Sequence, residues 1–511
     1  MRVDSGDGAL RAGGVMQHDR RCFLSGMAAT ALCAGLPACT SVNRATGRSS
    51  FTGLYSAEDD VKLGREEHAK IVKEFGGEYE NRKLQGYVDG IGKTLSRFTE
   101  YQQFPYKFTI LNTSIVNAFA LPGGLVYVTR GLLVLASNEA ELAGVVAHEI
   151  GHVNARHTAE RLAAVQVSQL GLLAGAIGAA ALGLPQEVMQ VGQSVAAMSI
   201  QAYSRSQELE ADTLGIRYMS RAGYDPQGMV TFLSTLRQQS IIEAEMQGLP
   251  PGSVDEYNVM ATHPRTIERV HQAMQEAAAA RPAKPRVGRE AYLDNIDGML
   301  FGDDPRQGIV RGRLFQHPVL RFQFRVPEGF RLVNGDAQIT AKNNKGAAIL
   351  FDTAPIKASR TMAAYLQQEW ASKTPLRDVE TLTVNGLEAA TGWVRGRSQQ
   401  GATVDLRGVA IRRDARSVYR FLFLSPASET QQLSRPFRET TYSFRVLTRE
   451  EAARIHALRL LVVPVQRGDT VRGLAKNLPY EKYNEDWFRM LNALKPGEAL
   501  KAGQRIKVVA A

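Results

Sequence analysis

The stretch that most constrains this 511-residue chain is His148-Glu149-Ile150-Gly151-His152, which reads H-E-x-x-H. The residues before it, Ala140 to Ala147, are mostly good helix formers and include no proline, which predicts a helix running through the motif. On that helix His148 and His152 sit one turn apart on one face, where both imidazoles can reach a single Zn²⁺. Glu149, beside the first histidine, can take a proton from a water activated by that ion. Gly151 costs the helix roughly 1 kcal/mol against alanine. A glycine at that cost predicts a close neighbour at that point.

A zinc site needs a third protein ligand. No histidine follows at the metzincin spacing; His157 comes too early, half a helical circumference from His148, and reads as structural. Sixty residues after His148 stands Glu208-Leu209-Glu210-Ala211-Asp212, with Glu208 and Asp212 again four apart. One of these carboxylates can bind the metal while the other orients a ligating histidine. H-E-x-x-H followed by E-x-x-A-D resembles the family of CAAX prenyl endopeptidases, HtpX and BepA-like periplasmic proteases, over roughly residues 55–280. The resemblance implies His148, His152 and Glu208 as ligands of one Zn²⁺ per chain. It implies Glu149 as the catalytic base and Asp212 as the supporting carboxylate. It also brings His263, in Ala261-Thr262-His263-Pro264, to the site, either as a fourth ligand that blocks the metal or as a hydrogen-bond donor to the transition state. Arg205 is a candidate anchor for Asp212 or for a substrate backbone.

All three cysteines, Cys22, Cys33 and Cys39, fall near the N-terminus. Asp19-Arg20-Arg21-Cys22-Phe23-Leu24 precedes the apolar run Met27 to Leu36, a charged segment followed by a hydrophobic one, as in a secretory signal. Arg-Arg-x-Phe-Leu resembles a twin-arginine export signal. Leu36-Pro37-Ala38-Cys39 resembles a bacterial lipobox, which implies a signal peptide over residues 1–38 and a lipid on Cys39. Cleavage there leaves one cysteine and no internal disulfide. The expectation is an exported lipoprotein on the periplasmic side of a bacterial envelope, with the outer membrane favoured.

Residues 39–55, rich in Ser, Thr, Gly and Asn, read as a tether. Ser56-Ala57-Glu58-Asp59 is a capping-box pattern opening a helix to about Phe75, with His68 as a solvated residue on it. A helix over about 80–98 and a strand over 106–111 follow. Pro122-Gly123-Gly124 then breaks residues 117–130 into two short strands, and in the resembled family this is a sheet edge to which an extended peptide adds by main-chain hydrogen bonds. Leu170 to Leu184 is uncharged but, at fifteen residues, short of a membrane span, and reads as a buried or membrane-touching helix. Helices start again near Ser206 and Asp225-Pro226.

The peptidase-like part is thus expected over 56–280, with a linker over 281–300. Residues 301–448 carry strand-like runs (320–326, 347–351, 402–411, 418–424), a helix near 361–371 and an Asn385-Gly386 turn, which predicts an α+β domain of no evident chemistry, with His317 structural. Residues 462–511 hold Gly468-Asp469-Thr470-Val471, Leu491-Asn492 and Gly503-Gln504-Arg505-Ile506, a pattern resembling the LysM domain, with a longer middle at 479–486. That resemblance implies a βααβ unit and binding to N-acetylglucosamine polymers such as peptidoglycan.

The expected fold is therefore multidomain: a mainly α-helical zincin-type (gluzincin) peptidase domain with a small β edge, an α+β domain, and a small βααβ LysM-like domain. Net charge is +11, of which residues 1–38 contribute +1, and it favours acidic partners such as lipid headgroups or cell-wall polymers. No nucleic-acid motif is present. The function these features imply is a zinc metalloendopeptidase acting on envelope proteins, misfolded ones by analogy. The alternative is an envelope-binding scaffold or chaperone whose peptidase core is latent.

Overall fold

The structure is a computed structural model that describes residues 40–52, 55–164, 203–246, 248, 250, 263, 267–335, 338–357, 359–398, 401–480 and 483–511. The signal peptide, the lipobox, the 170–184 run and most of residues 247–262 lie outside these residues.

The N-terminal elements are strands β1 (Thr40–Val42) and β2 (Ser49–Phe51), then helices α1 (Ala57–Glu74) and α2 (Arg82–Ser96). Residues 40–51, read from composition as part of a tether, form a docked antiparallel hairpin instead. Asn43 explains the difference. Its Oδ1 accepts from Ala45 N at 2.8 Å to make the turn, while its Nδ2 donates to Asn154 O at 2.9 Å in the interior. Ser, Thr and Asn favour such turns as readily as loose linkers. Helix α1 begins at the expected capping box on Ser56 and Asp59. His68 on it is not solvated as expected: Nδ1 lies 2.7 Å from the Tyr127 hydroxyl, and the ring is half-buried.

Strands β3 (Lys107–Leu111), β4 (Ala118–Leu121) and β5 (Leu125–Thr129) make a sheet in the order β3-β5-β4, so β4 forms one edge. Pro122-Gly123-Gly124 supplies the turn between β4 and β5, with φ of +80° and +98° at the glycines. Helix α3 (Arg130–Leu135) follows, then α4 (Glu139–Ala155), α5 (Arg205–Arg221), α6 (Gln227–Met246) and α7 (Ile267–Ala279). Helix α4 carries the H-E-x-x-H motif. The Asn138 side chain caps its start, and every residue except Val145 is buried. A helix buried on nearly every side belongs in a core, its polar residues turned to partners there, and α2, α5 and α6 enclose this one.

The stretch 281–300 differs from the linker that its Pro, Ala and Lys content suggests. It holds helix α8 (Arg289–Ile296), which buries Tyr292, Leu293 and Ile296, and it ends in strand β6 (Leu300–Phe301). Beyond it lies the sheet-rich part: β7 (Ile309–Arg311), β8 (Leu314–His317), β9 (Phe322–Arg325), β10 (Arg331–Asn334), β11 (Ile339–Lys342), β12 (Ala348–Pro355), helix α9 (Met362–Tyr365) running into a wide turn to Trp370, β13 (Arg377–Val384), β14 (Leu387–Arg397), β15 (Thr403–Arg412), β16 (Ser417–Pro426), α10 (Thr430–Ser443) and β17 (Arg445–Val446). Seven strands run antiparallel in the order β10-β11-β12-β16-β15-β14-β13, against a four-stranded sheet β17-β9-β8-β7. Phe322, Phe324, Phe351, Phe421 and Phe444 fill the space between. Asn385 and Gly386, at φ of +47° and +84°, close the β13–β14 hairpin as expected. His317 is buried beside Phe315 and Phe322, and burial first, then Arg413, pushes it down to about 4.

The chain ends with α11 (Arg449–Ala453), β18 (Leu458–Pro464), α12 (Val471–Ala475), α13 (Asn484–Leu491) and β19 (Arg505–Ala510). Strand β18 pairs with both β19 and β6, so this unit is stitched to the segment after the peptidase-like helices. Lys507 on β19 is buried and donates from Nζ to Val134 O and Ala136 O, each at 2.8 Å, at the C-terminal end of α3. A lysine in that place satisfies carbonyls that the helix leaves open. Residues of this unit and of the helical part share one apolar core.

Candidate metal centre

Helices α4 and α5 cross where Gly151 faces Ala211. A Cβ on Gly151 would stand 2.7 Å from Ala211 O, which is the close neighbour that the glycine implied. The crossing brings His148 and His152 of α4 against Glu208 and Asp212 of α5, two pairs each one helical turn apart.

The geometry is tight. The two Nε2 atoms of His148 and His152 are 3.0 Å apart. The Glu208 carboxylate lies 3.6 Å from His148 Nε2 and 3.5 Å from His152 Nε2. His263 Nδ1 is 2.8 Å from Glu208 Oε1 and 3.2 Å from His148 Nε2. One donor atom from each of these four residues falls within 4.8 Å of all the others. His148 Nδ1 lies 2.8 Å from Asp212 Oδ1. A carboxylate accepts only, so this close approach favours the proton on Nδ1, although its N–H is not aligned as a hydrogen bond, and leaves the Nε2 lone pair toward the cluster. The Nε2 lone pairs of His148 and His152, 3.0 Å apart in a buried space, repel one another unless a cation lies between them, and nitrogen and carboxylate donors suit Zn²⁺. The residues present therefore fit that ion.

Glu149 is buried next to this group, with Oε1 3.4 Å from His263 Nε2, and among the described residues Oε2 has no hydrogen-bond partner. Burial, the largest influence, raises its carboxyl above the ordinary value despite His263 and His148, as suits a group that must take up a proton. Burial would raise Glu208 and Asp212 as well. Burial is the largest influence, but Arg269 together with His263 and His152 at Glu208, and with His148 at Asp212, outweighs it and holds both below their usual range.

Arg269 on α7 is the residue that sequence reasoning missed. Its Nε and NH2 donate to the two Asp212 oxygens at 2.7 and 2.8 Å, and NH1 lies 2.5 Å from Glu208 Oε2. Arg205, a candidate anchor for Asp212 or for a substrate backbone, pairs with Glu268 rather than Asp212 and is 69% exposed. Asp212 is seven residues further along α5, about 10 Å up the axis, so a side chain at 205 faces solvent at the helix start. His157 is not among the four donors, in keeping with its expected structural place, yet Nδ1 lies 2.8 Å from His152 Nδ1. Tyr203 stacks on the His152 ring at 3.8 Å, and Arg161 lies over Tyr203 at 3.8 Å.

A helix-borne His/His/Glu group with a further buried carboxylate beside it defines a candidate metal centre. Residues 82–277 match the model of peptidase family M48. It is 32% identical over 234 residues to the beta-barrel assembly-enhancing protease of Escherichia coli (strain K12), covering 42% of this chain and 46% of that protein. It is 33% identical over 182 residues to the mitochondrial metalloendopeptidase OMA1 of Schizosaccharomyces pombe, covering 34% of this chain and 52% of the relative. Against the OMA1 of Saccharomyces cerevisiae it is 34% identical over 163 residues, covering 31% and 42%. The chain spans about half the length of the relatives it matches. No helix among the described residues is long and apolar enough to cross a membrane.

Proposed function

We propose that this chain is a zinc-dependent endopeptidase of the bacterial envelope that cleaves peptide bonds of envelope proteins, misfolded ones included. The observation that carries the reading is the buried convergence of His148, His152 and Glu208 with Glu149 beside it. Those three residues would hold Zn²⁺, which would supply Lewis-acid activation of a water and of the scissile carbonyl. Glu149 accepts the proton of the attacking water and delivers it to the leaving amine. Asp212 orients His148 through Nδ1, and Arg269 fixes both carboxylates of α5. Strand β4, at one edge of its sheet, offers main-chain groups to an extended substrate, which gives weak sequence preference.

His263 takes the blocking role of the two the sequence left open. Its Nδ1 lies inside the donor group, where a substrate carbonyl or water must otherwise stand. The enzyme is then latent until His263 leaves the donor group. The substrate class rests on the named activity of the E. coli relative and is an analogy, not site chemistry. The lipid on Cys39, the periplasmic and outer-membrane setting, and peptidoglycan binding by the LysM-like β18-α12-α13-β19 unit belong to the same proposal. They rest on the sequence patterns above.

The test is casein cleavage by the purified chain beside Glu149→Gln and His263→Ala, with zinc measured on each. The reading expects about one zinc per chain in all three, no cleavage by Glu149→Gln, and more cleavage by His263→Ala than by the wild type. Zinc-loaded His263→Ala that cuts nothing favours the scaffold alternative.

A further inference from the structure

We propose that His157 and Glu210, together with Arg48 of the N-terminal hairpin, form a positioning relay that sets the proton and orientation of His152. The proposal rests on the zinc reading above and adds residues to it that bind no metal.

The relay is read from hydrogen-bond polarity. His157 is fully buried, and its Nε2 lies 2.9 Å from Glu210 Oε2. A carboxylate cannot donate, so the proton of this contact sits on His157 Nε2. In the neutral ring that leaves a lone pair on His157 Nδ1. His157 Nδ1 in turn lies 2.8 Å from His152 Nδ1. Two lone pairs cannot face each other at that distance, so His152 Nδ1 carries the proton and donates. His152 Nε2 is then the unprotonated nitrogen, and it is the one that faces His148 and Glu208. Glu210 therefore does at one remove for His152 what Asp212 does directly for His148. A metal-ligating histidine needs such an acceptor behind it to hold its tautomer and ring plane.

The far end of the relay lies in the hairpin. Arg48 NH2 donates to Glu210 Oε2 at 3.0 Å and reaches Glu160 at 3.2 Å. Main-chain and side-chain bonds seat the hairpin independently: Asn43 Nδ2 to Asn154 O at 2.9 Å on the helix of the motif, and Arg217 NH1 to Ala45 O at 3.1 Å on α5. The segment that follows Cys39 is thus built into the support of a metal ligand. The turn at Arg156 makes the contact possible. Its φ of +57° ends α4 and swings His157 back against His152, where a straight helix would carry it to the opposite face.

The test measures zinc affinity of the full chain by competition with a chromogenic chelator, and the d–d spectrum of the Co²⁺-substituted protein, for His157→Phe, Glu210→Lys, Glu210→Gln and Arg48→Ala. Thermal midpoints of the metal-free proteins control for stability. His157→Phe removes the acceptor behind His152, and Glu210→Lys puts a donor where His157 needs an acceptor. Each is expected to weaken zinc binding about 10–100-fold, the usual effect of losing such a partner, and to shift the Co²⁺ bands. Glu210→Gln keeps an acceptor oxygen and retains near wild-type affinity. Arg48→Ala costs at most about fivefold, the ceiling for a half-exposed pair. Wild-type affinity and spectra in both His157→Phe and Glu210→Lys overturn the relay. So does a loss in Glu210→Gln equal to that in Glu210→Lys. Should His157→Phe fail to fold, the two Glu210 variants still decide. A wild type that holds no zinc defeats the metal reading itself, an outcome separate from any difference among the variants.

Discussion

The helix crossing at Gly151 gives the most quantitative forecast. In Gly151→Ala the new methyl group meets Ala211 O at 2.7 Å, Ala211 Cα at 3.1 Å and its carbonyl carbon at 3.3 Å. All three are backbone atoms, so no side chain can swing away, and α4 and α5 must separate by several tenths of an ångström. Overpacking of this kind costs about 1–3 kcal/mol, while alanine returns roughly 1 kcal/mol of helix propensity. The net loss is therefore modest, about 0–2 kcal/mol. The site suffers more, because Ala211 stands between Glu208 and Asp212 on α5, and a catalytic constellation tolerates only about 0.5 Å. Zinc affinity and casein turnover are expected to fall about 10-fold or more while the thermal midpoint drops by only a few degrees. Gly86→Ala is the control. That glycine is exposed on α2 with nothing within 4 Å of a new Cβ, so alanine there should be neutral or slightly stabilising with full turnover. Full turnover and unchanged zinc affinity in Gly151→Ala would refute the claim that this contact sets the ligand geometry.

Other expectations follow from single contacts. Arg269→Met leaves the buried Glu208 and Asp212 carboxylates without their cation, which should cost about 3–5 kcal/mol and abolish stoichiometric zinc, read by calorimetry and metal analysis. Arg205→Ala, on an exposed pair, should change the thermal midpoint and turnover little. Lys507 governs a pH dependence. Burial holds its ammonium down to about 7, against the opposing pull of Glu141. Between pH 7 and 9.5 the unfolded lysine is therefore protonated more than the folded one, so stability rises with pH across this window. The wild-type thermal midpoint should climb from pH 7 to 9.5, and Lys507→Met should flatten the climb; an identical slope in the variant would exclude Lys507 as its source.

The motif pairs were legible in the sequence because each is local. H-E-x-x-H and E-x-x-A-D owe their meaning to one helical turn, and the capping box at Ser56 and the turns at Gly123-Gly124 and Asn385-Gly386 likewise span a few residues. What escaped was long-range. Arg269 reaches Asp212 across 57 residues of sequence, on a helix whose pattern marks an apolar face but not the partner of one buried arginine. Arg205 attracted the role by proximity in sequence, which a helix turns into separation along its axis. The hairpin at 40–51 and helix α8 were hidden by composition. Ser, Asn, Pro and Lys suit linkers, and only the packing of Asn43, Tyr292 and Ile296 shows that these residues are built in. Lys507 reads as one more strand lysine until the open carbonyls of α3 lie above it.

The most direct test of the central claim is zinc K-edge absorption on the purified chain beside His148→Ala/His152→Ala. The account predicts about one zinc in the wild type, with nitrogen and oxygen neighbours near 2.0–2.1 Å and no sulfur shell near 2.3 Å, and no stoichiometric zinc in the double variant. A wild type without zinc, or a double variant that keeps it, would contradict the assignment of this site.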